Sequence, residues 1–96
     1  MMNSKLRSSL GLAMKAGKIK SGEFAVKKAF DGGHACLLVV DITASDSTKK
    51  RWRDACAYKN VPFMEAESPG SAIGRDNIMT LCVTSQDFAR MILDAN

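Results

Sequence analysis

The run "ACLLVV", residues 35–40, constrains the fold of this chain more than any other segment. It is continuously apolar and rich in branched side chains, and Asp41 follows it as a polar exit. Such a run is typical of a β-strand covered on both faces, because a strand with one solvated face would alternate apolar and polar residues. The sequence therefore predicts a central strand in a sheet with helices on both sides.

Two helices are predicted before this strand. Apolar residues at helical spacing, from Leu6 to Met14, predict a first helix with Ser4 available as its cap and Gly17 as its stop. A second helix begins after Ser21, its predicted cap, and the segment 18–20 between the two helices is long enough only for a short strand. The predicted core stripe of the second helix is Gly22, Val26, Ala29, Phe30 and Gly33.

The alternation continues after the central strand. The patterns predict a helix from about Asp46 to Asn60, a strand in "VPFMEA", a helical turn after Ser68-Pro69, a strand in "IMTLCV", and a last helix opened by a Thr84–Asp87 capping box. Strands and helices in this order predict one domain over residues 1–96. Its fold class is α/β, a three-layer α/β/α sandwich with a sheet of about four strands.

Composition excludes a membrane span. The longest apolar run is far short of the roughly 20 residues that a span requires, and residues 1–5 lack an apolar signal core. We therefore expect a cytoplasmic protein with no membrane partner. The three cysteines, which include no CxxC pair, are expected to be reduced and buried.

Positive charge is concentrated at the start of the chain. Residues 1–28 contain seven basic side chains against one acidic side chain, whereas residues 29–96 contain seven against nine. This asymmetry favours a polyanion as partner, because local positive potential and counterion release drive phosphate binding. The alternative is a solvated lysine face without a partner.

Residues for catalysis or for holding a metal or a cofactor are not evident. His34 lies in a Gly-Gly-His-Ala turn without neighbouring ligands, and no phosphate-binding glycine loop or nucleophile elbow is present. Asp41 ends a buried strand, where α/β enzymes and phosphate-receiving domains hold working carboxylates, but the additional acids that would bind Mg²⁺ are missing. We expect no enzyme, no metal and no cofactor, with an Asp41-centred enzyme or signalling domain as a remaining alternative.

The second helix presents an aromatic ring among lysines. At 100° per residue, Phe24 points away from the core, on the side of Lys27 and Lys28, and Lys18 and Lys20 come just before the helix. Such a site could stack an unpaired base and attract phosphates, while the helix N-terminus adds free N–H groups. The alternative is that Phe24 packs on the first helix or on Ile19.

The segment "LGLAMKAGKIKSGE", together with "GSAIGR" and "CVTSQDFA", resembles the kink-turn RNA-binding ribosomal protein family, which includes the large-subunit proteins seven-Ae and thirty-e. The bacterial YlxQ branch is the most similar. The resemblance spans roughly residues 8–93. It implies a mixed four-stranded sheet, no catalysis, and RNA bound by the start of the second helix and the loop before the last strand.

The resemblance also assigns residues. Binding members carry a G-x-N-E-x-x-K pattern, in which Gly22 and Lys28 match, but Phe24 and Ala25 stand where Asn and Glu are expected. In the family, that Asn and Glu recognise guanine edges in sheared G·A pairs. Glu23 would replace the family Glu only if the helix start were shifted. The second contact loop corresponds to residues 74–78 and includes Arg75.

The predicted partner is ribosomal or other structured, kink-turn-like RNA, with ribosomal proteins as a further class and ribosome association expected. The predicted RNA-binding residues are Lys15, Lys18, Lys20, Gly22, Glu23, Phe24, Lys27, Lys28 and Arg75. Because the base-recognising Asn and Glu are absent, the alternative is a ribosome-associated protein-interaction module that has lost kink-turn recognition.

Overall fold

A computed structural model describes residues 3–96 and contains one sheet of four strands. The strands are β1 (Ile19–Ser21), β2 (Leu37–Asp41), β3 (Phe63–Ala66) and β4 (Thr80–Val83). Their order across the sheet is β1-β4-β2-β3. β2 and β3 run parallel, whereas β4 is antiparallel to both β1 and β2. The sheet is therefore mixed, as the family resemblance implied.

Five helices alternate with the strands in the predicted order. They are α1 (Ser4–Lys15), α2 (Glu23–Asp31), α3 (Asp46–Lys59), α4 (Pro69–Ala72) and α5 (Gln86–Ala95). α1 and α5 pack on one face of the sheet in a single apolar cluster, and α2 and α3 pack on the opposite face in a second cluster. This arrangement confirms the three-layer α/β/α sandwich.

β2 connects the two apolar clusters. All five of its residues are buried. Leu37 and Val39 belong to the cluster with α1 and α5, and Leu38 and Val40 belong to the cluster with α2 and α3. Because successive side chains of a strand point to opposite faces, a strand between two layers of helices needs apolar residues at every position. This position between two layers of helices explains why residues 35–40 are all apolar.

The predicted N-caps of α1 and α5 each lie one residue away from the actual caps. The N-cap of α1 is Asn3, whose Oδ1 accepts from the Leu6 backbone N–H at 2.7 Å, and Ser4 is already helical. The N-cap of α5 is Ser85, which accepts from Phe88 N–H at 3.3 Å. Thr84 cannot form the predicted capping box, because its N–H donates to the carbonyl of Lys18, the residue before β1.

The predicted cap of α2 is also wrong. Ser21 is the last residue of β1, and Gly22 occupies the N-cap with a φ of 87° and no capping side chain. Glycine adopts this left-handed conformation without the steric cost that a Cβ would add. At α4, Ser68 does precede Pro69 as predicted, but its side chain makes no capping hydrogen bond.

The three thiols are free, and two of them are fully buried. Burial raises the pKa of Cys56 and that of Cys82 to about 11, which keeps both thiols protonated near neutral pH. Cys36 is only partly buried, in contrast to the prediction for all three. Within residues 3–96, no helix has the length and apolar character that a membrane span requires.

Candidate nucleic-acid interface

The interface is built around the start of α2, which is held against the sheet by its backbone. The Gly22 N–H donates to the Thr80 carbonyl at 3.0 Å, at the point where the loop after α4 enters β4. No side chain caps α2, so the backbone N–H groups of residues 23–25 lack partners within the helix. The positive end of the helix dipole is therefore open to an anion or a hydrogen-bond acceptor.

Phe24, in the first turn of α2, lies in solvent. Its side chain is 85% exposed, which excludes the alternative that it packs on α1 or on Ile19. Together with Lys20 of β1 and Lys28 of α2, it lines a groove of about 840 Å³. Within residues 3–96, neither lysine forms an ion pair, and no acidic side chain lines the groove. This flank of α2 is thus cationic and aromatic at the same time.

The groove continues along α2 to its C-terminal end. Ala25 and Ala29 contribute small side chains to its lining, and Gly32, His34 and Thr84 form its far end. The His34 ring lies against Gly32, because a Cβ placed on this glycine would come 3.0 Å from His34 Cδ2. The Thr84 N–H donates to the Lys18 carbonyl at 2.8 Å, which places Lys18 next to this end rather than beside Phe24.

The opposite flank of α2 faces α3 and is charge-paired. Glu23 Oε2 accepts from Arg51 at 2.8 Å, and Glu23 Oε1 accepts from the Trp52 indole N–H at 3.3 Å. Lys27 Nζ lies 2.9 Å from Asp31 Oδ2, and this hydrogen bond lowers the pKa of Asp31. These five side chains line a smaller hollow of about 160 Å³. Glu23 and Lys27, both predicted to contact RNA, already have protein partners.

The structure thus divides the predicted residues into three groups. Lys20, Phe24 and Lys28 share the groove, with Gly22 at the helix start, whereas Glu23 and Lys27 lie on the paired flank. The other three predicted residues are exposed but line neither hollow: Lys15, Lys18 and Arg75.

Arg75 belongs to the loop between α4 and β4. Its N–H donates to the Gly70 carbonyl at 2.8 Å, and a Cβ on Gly70 would lie 2.1 Å from the Arg75 carbonyl oxygen, so the tight packing of this loop requires glycine there. The loop then leads to Thr80 beside Gly22. The two segments that the resemblance implies for RNA contact therefore meet at one end of the sheet.

Sequence reasoning missed the far end of the groove. His34 was expected to be only a turn residue, and Thr84 was expected to cap a helix. A signal existed for part of this surface, since Phe24 and Lys28 are four positions apart on α2 and so lie on one face of that helix. The sequence contains no signal for Thr84, because its position depends on the pairing of β1 with β4, which no local pattern predicts.

The Asp41 carboxylate has a structural role in the turn after β2. It is buried, and its Oδ1 accepts from the Thr43 N–H at 2.9 Å and from the Thr43 hydroxyl at 2.8 Å. This pattern is an Asx turn, in which the side chain satisfies the backbone of the next turn. Among residues 3–96, no three His, Cys, Asp or Glu side chains converge as metal ligands would.

Comparisons with known proteins identify relatives for this chain. No family model matches it. The RNA-binding protein YlxQ of Bacillus subtilis is 37% identical over 87 residues, which cover 88% of this chain and 87% of that protein. The RNA-binding protein YlxQ of Enterococcus faecium is also 37% identical, over 67 residues that cover 66% of this chain and 65% of that protein.

Solved structures share the fold. A protein of unknown function from Bacillus halodurans superposes with a TM-score of 0.89 and 29% identity over 97% of both chains. The Giardia lamblia 15.5kD RNA binding protein has the same fold at 18% identity, with a TM-score of 0.76 over 95% of this chain and 81% of that one. From the identity and coverage of the Bacillus subtilis relative, the chain belongs to the YlxQ family.

Proposed function

We propose that this protein binds structured RNA, without catalysis, through the groove flank of α2 and the loop that contains Arg75. The observation that carries the proposal is the presence of Lys20 and Lys28 in the same groove as the exposed Phe24, with no acidic partner within residues 3–96. Two free ammonium groups attract phosphates, and the ring in the same groove offers a stacking plane for a base. The YlxQ relatives, which are named RNA-binding proteins, support the same function.

The cationic surface extends beyond the groove at both ends. Lys18 lies at the Thr84 end, since the Thr84 N–H donates to the Lys18 carbonyl, and Arg75 lies in the loop at the Gly22 end. Lys15 is exposed at the end of α1, three residues before Lys18. We assign phosphate contacts to these residues as well. Lys27 is a weaker candidate, because it would have to give up its pairing with Asp31 to contact RNA.

Kink-turn recognition is not included in the proposal. The side chains of Phe24 and Ala25, at the positions of the family Asn and Glu, have no hydrogen-bonding groups that could recognise guanine edges as that Asn and Glu do. Glu23 does not take over this role, since Arg51 and Trp52 hold its carboxylate. The expected target is RNA with accessible phosphates and an unpaired base, such as an internal loop in ribosomal RNA.

The same substitution favours a second candidate function. A YlxQ-family domain without the base-recognising Asn and Glu could act as a protein-interaction module on ribosomal complexes, in which an exposed Phe24 contacts a protein. Acidic surfaces on ribosome-associated proteins would suit Lys20 and Lys28 equally well. Purified protein that binds no RNA at low salt but binds a protein through α2 would support this candidate.

Fluorescence anisotropy with a labelled ribosomal RNA fragment tests the RNA proposal. We expect affinity to fall steeply with salt and Lys28→Ala to reduce the salt slope by about 0.7 to 0.9, the value of one phosphate contact. Phe24→Ala should weaken binding by about fivefold or more, since stacking a base on an aromatic ring is worth about 1 to 3 kcal/mol. Lys50→Ala is the matched control, because Lys50 is exposed on α3 but pairs with Asp54 at 2.7 Å.

Two outcomes would contradict the proposal. If affinity does not depend on salt, or if Phe24→Ala and Lys28→Ala bind as tightly as Lys50→Ala, the groove flank of α2 does not contact the RNA. Crosslinking in cells followed by sequencing of bound RNA then distinguishes a ribosomal RNA target from other RNA and from none.

A further inference from the structure

The groove is longer than the proposed contact around Phe24 needs. Past Lys28 it continues over Ala29 and Gly32 to His34 and Thr84. We propose that this far half holds a short single-stranded segment of the bound RNA, with a second unpaired base packed on the His34 ring. The inference rests on the proposed RNA-binding function and specifies the kind of RNA that the site accepts.

The dimensions of the groove fit a few nucleotides. Phe24 and Gly32 are eight residues apart along α2, which corresponds to about 12 Å at 1.5 Å per residue. This span equals about three steps of a stacked strand, at roughly 3.4 Å each, so a more extended strand with splayed bases would place fewer nucleotides in it. The volume of about 840 Å³ also lies within the range of about 300 to 1,000 Å³ that is usual for small-molecule sites.

The lining of the far half suits bases rather than paired helices. Ala25, Ala29 and Gly32 keep the groove open, since each has a small side chain or none. Phe24 and His34 are both exposed and lie near opposite ends, so each presents a ring to whatever enters. The face of a base can stack on a side chain only when that base is unpaired and splayed out of its helix. Two rings at the two ends therefore select a looped or single-stranded segment.

Free polar groups accompany the rings. Within residues 3–96, neither the His34 ring nitrogens nor the Thr84 hydroxyl makes a hydrogen bond to protein, so both remain available to a base edge or a 2′-hydroxyl. Lys20 and Lys28 lie along the same groove, and no acidic side chain lines it. This charge favours the sugar-phosphate backbone over an acid-poor peptide as occupant.

The test compares one RNA hairpin with a single-stranded loop and a fully paired RNA of the same stem sequence, each titrated with the intact protein. His34→Ala should weaken binding of the hairpin by about fivefold or more, by loss of a stacked base, and should leave binding of the paired RNA within twofold. His34→Phe, which keeps an aromatic ring without the ring nitrogens, should retain most of the hairpin affinity. Thr84→Val is expected to cause a smaller loss for the hairpin alone. Melting temperatures of all variants establish that they are folded.

The results distinguish failure of the single-stranded segment from failure of RNA binding itself. If Phe24→Ala and Lys28→Ala weaken binding but both His34→Ala and Thr84→Val bind the hairpin as the unaltered protein does, the single-stranded segment is wrong while RNA binding stands. The single-stranded segment is also wrong if the paired RNA binds as tightly as the hairpin. If neither RNA binds, or if an acidic peptide occupies the groove instead, both proposals fail.

Discussion

The two flanks of α2 both contain lysine and an aromatic ring, but acidic side chains line only the flank that faces α3. On the groove flank, Lys20 and Lys28 have no acidic neighbour and Phe24 is open to solvent. On the flank that faces α3, Lys27 is paired with Asp31 and Glu23 is paired with Arg51. The lysines therefore differ in availability for a ligand. Lys27 is paired with an acid one turn along the same helix, whereas Lys20 and Lys28 have no acidic side chain in their groove.

The same division explains how one short helix can serve both stability and binding. The paired flank holds α2 to α3 through Glu23, Arg51 and Trp52, and the Phe30 and Trp52 rings meet edge to face at 5.5 Å beneath it. On the groove flank, Lys20 and Lys28 form no ion pair with another side chain of residues 3–96. Its lysines can therefore bind phosphates without first breaking a contact within the protein.

Reversing one charge on each flank should give the largest difference in RNA affinity between the two flanks. Lys28→Glu removes a phosphate contact and places a negative charge in the groove, so we expect RNA affinity to fall about tenfold or more. Lys27→Glu changes the net charge equally but affects a side chain that is already paired, so the expected loss is under about threefold. Filter binding at two salt concentrations measures both. An equal loss in the two variants would mean that RNA responds only to the overall charge.

The fold was predictable because it follows from local patterns. The run from residue 35 to residue 40, the helical stripes and the segment after Ser68 each indicate their element without reference to the rest of the chain. The wrong caps show the limit of such patterns. Asn3 and Ser4 are both good capping residues, and only the hydrogen bond to Leu6 decides between them.

The candidate site was predicted only in part, because its arrangement depends on distant residues. Helical geometry was sufficient to place Phe24 outward, and its 85% exposure confirms this. The pairing of Glu23 depends on Arg51, which lies 28 positions away, and no local pattern reports it. His34 and Thr84 are likewise far apart in sequence, and they meet because the Cys36 N–H donates to the Val83 carbonyl at the start of β2.

Removing the Glu23 carboxylate tests whether the flank of α2 that faces α3 stabilises the fold. Glu23→Ala leaves the buried Trp52 indole N–H without its acceptor, so we expect a loss of about 1 kcal/mol in the free energy of unfolding. Glu23→Gln keeps an acceptor oxygen and should lose less. Urea denaturation measures both, with Lys50→Ala as a control whose exposed pair is worth about 0.5 kcal/mol or less.

RNA affinity provides the second readout for Glu23. Because its carboxylate is bound to α3, folded Glu23→Ala protein should bind RNA within about twofold of the unaltered protein, or slightly more tightly after loss of a negative charge. Anisotropy at a temperature where the variant is fully folded gives this value. A weakening beyond fivefold without a change in stability would show that Glu23 contacts the RNA, as the sequence alone predicted.

The smallest expected effect comes from releasing Lys27. Asp31→Asn removes the partner that now holds the Lys27 ammonium at 2.9 Å, and because Lys27 keeps the pKa of Asp31 low, this pair is intact throughout the neutral pH range. Both side chains are largely exposed, so solvent screens the pair and the free energy of unfolding should stay nearly unchanged. RNA affinity should rise by less than about threefold, with a slightly steeper salt dependence, as a freed lysine joins the cationic surface. In the double variant Lys27→Ala, Asp31→Asn this gain should vanish. If it persists, the acid itself repels the RNA and pairing is not what keeps Lys27 out of the interface.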